Sequence, residues 1–135
     1  MLFDFDLTVP ANTSQNSPVQ SSVHLTAGLL SQVRVIFPPG PADLVHIMVR
    51  VGQFQIVPAN PEGDLNGDDV LVVSELEYDL TDGPYDLTLL GWSEDDTFDH
   101  TVTVQIDMQP ASSDDWGSFL QQLFTSVGGR PSRLG

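Results

Sequence analysis

The stretch Val45-His46-Ile47-Met48-Val49-Arg50-Val51-Gly52-Gln53-Phe54-Gln55-Ile56-Val57 decides the fold class. Val45, Ile47, Val49 and Val51 alternate with His46, Met48 and Arg50, and a period of two places the valines and the isoleucine on one face of a strand. Three valines and one isoleucine on that face suit a half-buried pleated surface. Gly52 supplies a hairpin turn or a bulge, and Phe54-Gln55-Ile56-Val57 resumes the strand.

The same alternation extends in both directions. Toward the N-terminus, Phe3, Phe5, Leu7 and Val9 alternate with Asp4, Asp6 and Thr8. After a polar stretch ending at Pro18, Val19, Ser21, Val23 and Leu25 point one way and Gln20, Ser22 and His24 the other. Gly28 marks a turn. Val33, Val35 and Phe37 follow, and the Pro-Pro-Gly-Pro run at 38–41 ends that strand because proline cannot donate to a ladder. Toward the C-terminus, a Pro-, Gly-, Asn- and Asp-rich loop from Pro58 to Asp69 precedes a β-rich run from Val70 to Tyr78. Tyr85, Leu87, Leu89 and Gly91 alternate with Asp86, Thr88, Leu90 and Trp92. An acidic turn at 94–99 leads to a last strand with Val102, Val104, Ile106 and Met108 on one face. The pattern predicts an all-β fold: a single antiparallel β-sandwich of about eight strands, Ig-like or jelly-roll-like.

The periodicity changes after Gln109. Pro110-Ala111-Ser112-Ser113 reads as a linker, and Asp114 and Asp115 suit a helix N-terminus. Trp116, Phe119, Leu120, Leu123, Phe124 and Val127 then fall at i, i+3, i+4, i+7, i+8 and i+11, one apolar stripe of an amphipathic helix. Gly128-Gly129 ends it, and Arg130 and Arg133 lie in the tail. Residues 1–109 are therefore read as the sandwich domain, and 110–135 as a linker, helix and tail acting as an assembly arm. A helix this short is marginal alone in water, so its stripe must dock on its own sandwich or on a neighbouring subunit.

Composition narrows the function. The 135 residues carry 19 Asp plus Glu against 4 Lys plus Arg, a net charge of −15. All four cations are arginines: Arg34, Arg50, Arg130 and Arg133. A nucleic-acid binder needs a basic footprint to displace phosphate counterions, so nucleic acid is excluded as a partner, and anionic membrane surfaces with it. No apolar run is long enough to span a bilayer. Asp4 and Asp6 stand where a signal peptide would carry cations, so synthesis in the cytoplasm is expected. The chain has no cysteine, which removes disulfide scaffolds, thiol catalysis and Cys-ligated metals. An acid-rich, lysine-free surface suits high salt, and a GC-rich genome produces the same bias.

Candidate chemistry is sparse. Asp64, Asn66 and Asp68, with Glu75, occupy positions 1, 3, 5 and 12 of a calcium-type loop. Asp69 stands where the sharp turn needs glycine, and the same composition makes an ordinary turn. Asp95, Asp96, Asp99 and His100 form a second acidic cluster, read either as a cation site or as a solvated hairpin turn. No Gly-x-Ser-x-Gly elbow, phosphate loop or metal-spaced histidine pair occurs. No enzyme activity and no cofactor are therefore expected, calcium being the one candidate. Trp92 and Tyr85 offer a sugar-stacking platform, although aromatics on an alternating strand are more often core.

In layout, the β domain from Leu2 to Gln109, its Val9-Pro10-Ala11-Asn12-Thr13-Ser14 and Phe37-Pro38-Pro39-Gly40 loops, and the C-terminal arm resemble accessory virion proteins of tailed phages and archaeal viruses. The resemblance to these head-decoration or cement proteins implies a structural, homo-oligomeric subunit located in the virion. It implies partners in itself and in a capsid or other structural protein. On it, the N-terminal strand and the residues Trp116, Phe119, Leu120, Leu123, Phe124, Val127, Arg130 and Arg133 make the inter-subunit contacts. The competing expectations are a calcium- or carbohydrate-binding sandwich module and a halophilic subunit of a cell-surface filament.

Overall fold

A computed structural model describes residues 1–60, 62–82 and 85–109. The predicted linker, helix and tail at 110–135, with Trp116, Phe119, Leu120, Leu123, Phe124, Val127, Arg130 and Arg133, lie outside the described residues.

Nine strands form: β1 (Leu2–Val9), β2 (Val19–His24), β3 (Leu29–Phe37), β4 (Val45–Val51), β5 (Phe54–Val57), β6 (Leu65–Asn66), β7 (Val70–Asp79), β8 (Asp86–Ser93) and β9 (His100–Gln109). The expected eight become nine because two residues of the Pro58–Asp69 loop, Leu65 and Asn66, pair with Ile47 and His46 on β4. Strand β3 starts at Leu29, three residues before the predicted alternation from Gln32. Its register slips between Leu30 and Gln32 against both neighbours, so Ser31 is a bulge that puts Leu30 back on the inner face.

The strands make two antiparallel sheets, one in the order β1-β9-β3-β7 and the other β2-β8-β4-β5, with β6 also on β4. Apart from the run β4 to β6, the chain changes sheet at every connection. This winding is that of a jelly roll, which settles the choice left open with an Ig-like order. It also corrects the reading of 94–99 as a hairpin. Strand β8 lies in one sheet and β9 in the other, so the acidic turn is a crossover.

The predicted inward residues make one core. Leu7, Val9, Val23, Val33, Val35, Phe37, Val45, Ile47, Val49, Leu87, Leu89, Val102, Val104 and Ile106 are all buried in it. Phe3 and Phe5 stack with centroids 6.3 Å apart and pack at its edge. Strand β1 contacts both β2 and β8, closing one flank of the sandwich. That approach requires Gly91, where a Cβ would stand 2.8 Å from Val9 Cγ2 and 3.2 Å from Leu7 Cδ2. The opposite flank, between β5 and β7, is where the groove described next opens.

Candidate functional site

Three features carry the chemistry of the surface: a polar latch, a cup on the outer face of one sheet, and the open β5/β7 flank.

The latch brings together His46, Asp64, Asn66 and Glu94. His46 projects from β4 with its Nδ1 2.6 Å from Asp64 Oδ1 and its Nε2 2.8 Å from Glu94 Oε1. Carboxylates only accept, so both contacts are donor bonds when the ring carries two N–H groups. Asn66 donates to the same Asp64 oxygen at 3.2 Å. Asp68 is directed elsewhere: its Oδ1 accepts the backbone N–H groups of Gly40 at 2.8 Å and Ala42 at 3.0 Å. The fold thus brings Asp64 and Asn66 together and directs Asp68 to a different loop. Among the described residues, no group of three or more His, Asp or Glu side chains is placed to hold a metal ion.

The second acidic cluster is likewise built into the fold. Asp95 Oδ2 lies 2.7 Å from His100 Nε2, Asp95 Oδ1 accepts the Thr97 N–H at 2.9 Å, and Asp99 accepts the Ala11 N–H at 2.8 Å. The backbone of Asn12 donates to the Asp95 carbonyl at 2.8 Å. The cluster thus ties the crossover to the loop after β1, where the expected hairpin turn would leave it solvated.

These bonds predict an acid response. The N–H groups of Ala42 and Gly40 hold the Asp68 carboxyl below the ordinary carboxylate range. His100, followed by the Thr97 N–H, does the same for Asp95, and Thr81 does so for Asp79. A carboxyl depressed only in the folded state stabilises it fully above the unfolded value of about 4. That contribution is lost as the pH falls below it through the folded values. Melting temperature is expected to hold from neutral pH to about 5 and to drop on further acidification. Asp68 also pins a strained turn, since Ala42 and Asp43 have φ of 50° and 64°. Asp68→Ala should therefore melt lower at pH 7 and show a shallower acid slope, by thermal melts from pH 7 to 2.5. An unchanged melting temperature in that variant would contradict the assignment.

The cup lies on the outer face of the β2-β8-β4-β5 sheet. Met48, Leu90 and Trp92 form a second buried apolar cluster there. Trp92 is 5% exposed, its ring stacked on that of His46 with centroids 5.1 Å apart and planes 11° off parallel. Around this floor stand Gln15, Asn16, Gln20, Arg50 and Glu62, enclosing about 420 Å³. Its rims are fixed. The Gln55 amide donates to the carbonyls of Pro58, Asn60 and Gly63, and Ser93 N–H donates to the Thr13 carbonyl. Tyr85, the expected partner of Trp92, does not line the cup; its hydroxyl donates to the Thr81 carbonyl at 3.2 Å.

At the open flank, Phe54, Gln55, Ile56 and Ala59 on one side face Leu76, Glu77 and Tyr78 on the other, across a groove of about 470 Å³. Phe54 is 71% exposed. Strand β7 is an edge strand, and its first residues Val70, Leu71 and Val73 are exposed apolar side chains. Sequence reasoning assigned none of these residues a role. The run Val70-Leu71-Val72-Val73 was their signal, because four apolar residues in a row break the alternation and must show some to solvent.

No family model matches this chain, and no curated protein does. Among solved structures it is similar to a chain of the X-ray structure of tomato aspermy virus, with 13% identity over 83% of this chain and 79% of that one, at a TM-score of 0.49.

Proposed function

We propose that the chain is a non-enzymatic structural subunit of a virion, of the decoration or cement kind, which self-associates and binds a larger shell. The observation that carries this reading is the open flank, where the edge strand β7 exposes Val70, Leu71 and Val73 and, further along, walls the Phe54 groove with Leu76 and Tyr78. A long, exposed, apolar edge is a template for pairing and association unless something covers it. An assembly subunit needs area and preorganised edges of this kind rather than a reactive pocket. Jelly rolls recur in viral capsids, and a net charge of −15 disfavours adhesion to DNA. The test is the solution mass of the full chain, expected to exceed one subunit at micromolar concentration.

A second reading is favoured by the cup. Jelly rolls also serve lectins, and an amide-rich wall with Arg50 and Glu62 over an apolar floor suits the hydroxyls and C–H face of a sugar. It predicts that neutral monosaccharides at millimolar concentration change Trp92 fluorescence and that Arg50→Ala abolishes the change. Trp116 is replaced by Phe in the protein used, to leave one reporter indole. Unchanged fluorescence across glucose, galactose, mannose and N-acetylglucosamine would end that reading.

A further inference from the structure

We propose that the groove between β5 and β7 is the receptor for residues 114–127 of a neighbouring copy of this chain. The inference rests on the assembly reading and names the contact that makes the assembly. Three observations carry it.

The first is chemical match. The groove is walled by Phe54, Ile56, Leu76 and Tyr78. The segment 114–127 carries Trp116, Phe119, Leu120, Leu123, Phe124 and Val127 at helical spacing, a stripe that must leave water somewhere. Arg130 and Arg133 follow it, opposite in sign to Glu77 on the groove wall.

Length is the second. As a helix, residues 114–127 span about 21 Å. From Leu71 to Tyr78, strand β7 runs about 23 Å. One segment is therefore long enough to fill the groove and continue along the β7 edge, the way sheets commonly protect an edge.

The third observation, direction, selects the neighbour. Strands β7 and β9 are both antiparallel to β3, so they run parallel to each other. Leu29 pairs with Asp79 on one side and with Gln109 on the other. The chain thus leaves β9 about 10 Å from the end of β7, heading away from the groove. To lie along its own β7, it would have to reverse within residues 110–113. Pro110 keeps Gln109 extended, so the whole reversal would fall to the four residues 110–113. Short connectors that resist closure favour exchange with a partner.

The chain has no cysteine, so introduced cysteines report proximity without background. Phe54→Cys and Leu120→Cys are made as two separate full-length proteins, mixed in equal amounts and mildly oxidised. Ala59→Cys serves as a second groove position, should Phe54→Cys perturb the fold. The expected dominant product is a mixed disulfide between the two proteins, identified by mass spectrometry of its peptides. The doubly substituted chain is expected to give a ladder of linked copies. An internal disulfide alone in that chain overturns the proposal by placing the segment on its own groove. An intact oligomer with no disulfide at either groove position overturns it too, while leaving the assembly reading in place. A chain that is monomeric throughout overturns both.

Discussion

Phe37→Ala is expected to remove about 3–5 kcal/mol of stability, the usual cost of deleting a buried aromatic ring. Phe37 closes β3 and is 1% exposed, one of the largest fully buried side chains in the core. Its ring also supports the turn before β7: a Cβ built on Gly67 would lie 3.1 Å from Phe37 Cδ2. Truncation therefore opens a cavity where β3, β7 and that turn meet. Domains of this size are held by about 5–15 kcal/mol in total, so the variant sits near the margin of folding. In urea its midpoint should fall by at least about 1 M, with the slope unchanged. A loss below about 1 kcal/mol would mean that the ring is not where the core places it.

The second large effect concerns association. Leu120→Ser with Phe124→Ser, in the full chain, is expected to reduce the solution mass to one subunit. The β-sheet circular dichroism should be retained, and the melting temperature should fall only by the share that oligomerisation contributes through mass action. The reasoning is that both side chains lie at the centre of the apolar stripe, where hydroxyls remove the drive to leave water. The core of the sandwich, by contrast, is assembled from strands that end at Gln109. If the double variant unfolds instead, the stripe belongs to the sandwich core and the assembly arm does not exist.

The fold was legible wherever one side of a strand meets the core. In β1, β4 and β9 the period of two names the buried residues directly, and Leu7, Val9, Val45, Ile47, Val49, Val102, Val104 and Ile106 follow it. Alternation specifies a face but not a sheet. The crossover at 94–99 could not be told from a hairpin, because the same residues serve either. Strand β6 was invisible for a different reason: two residues have no period, and their pairing depends on His46 and Ile47 far away in sequence. The bulge at Ser31 hid the start of β3 by shifting the alternation by one.

The site was less legible, for a physical reason visible at Asp64 and Asp68. Oxygen donors at alternating positions suit a cation, yet they suit any nearby donor equally well. Here the donors are the His46 ring and the backbone N–H groups of Gly40 and Ala42. Backbone donors carry no residue identity, so the sequence cannot announce them. The cup and the groove are tertiary in the same sense. Arg50 and Glu62 meet because the loop after β5 folds back beside β4, and Phe54 and Tyr78 because edge strands of the two sheets face each other.

The most direct test of the self-associating subunit is light scattering on the full chain over a hundredfold dilution, in low and in molar salt. Salt screens the repulsion between copies that each carry −15, so association should tighten as salt rises. The account predicts a discrete oligomer at micromolar concentration. A single-subunit mass at every concentration and in both salts would contradict it.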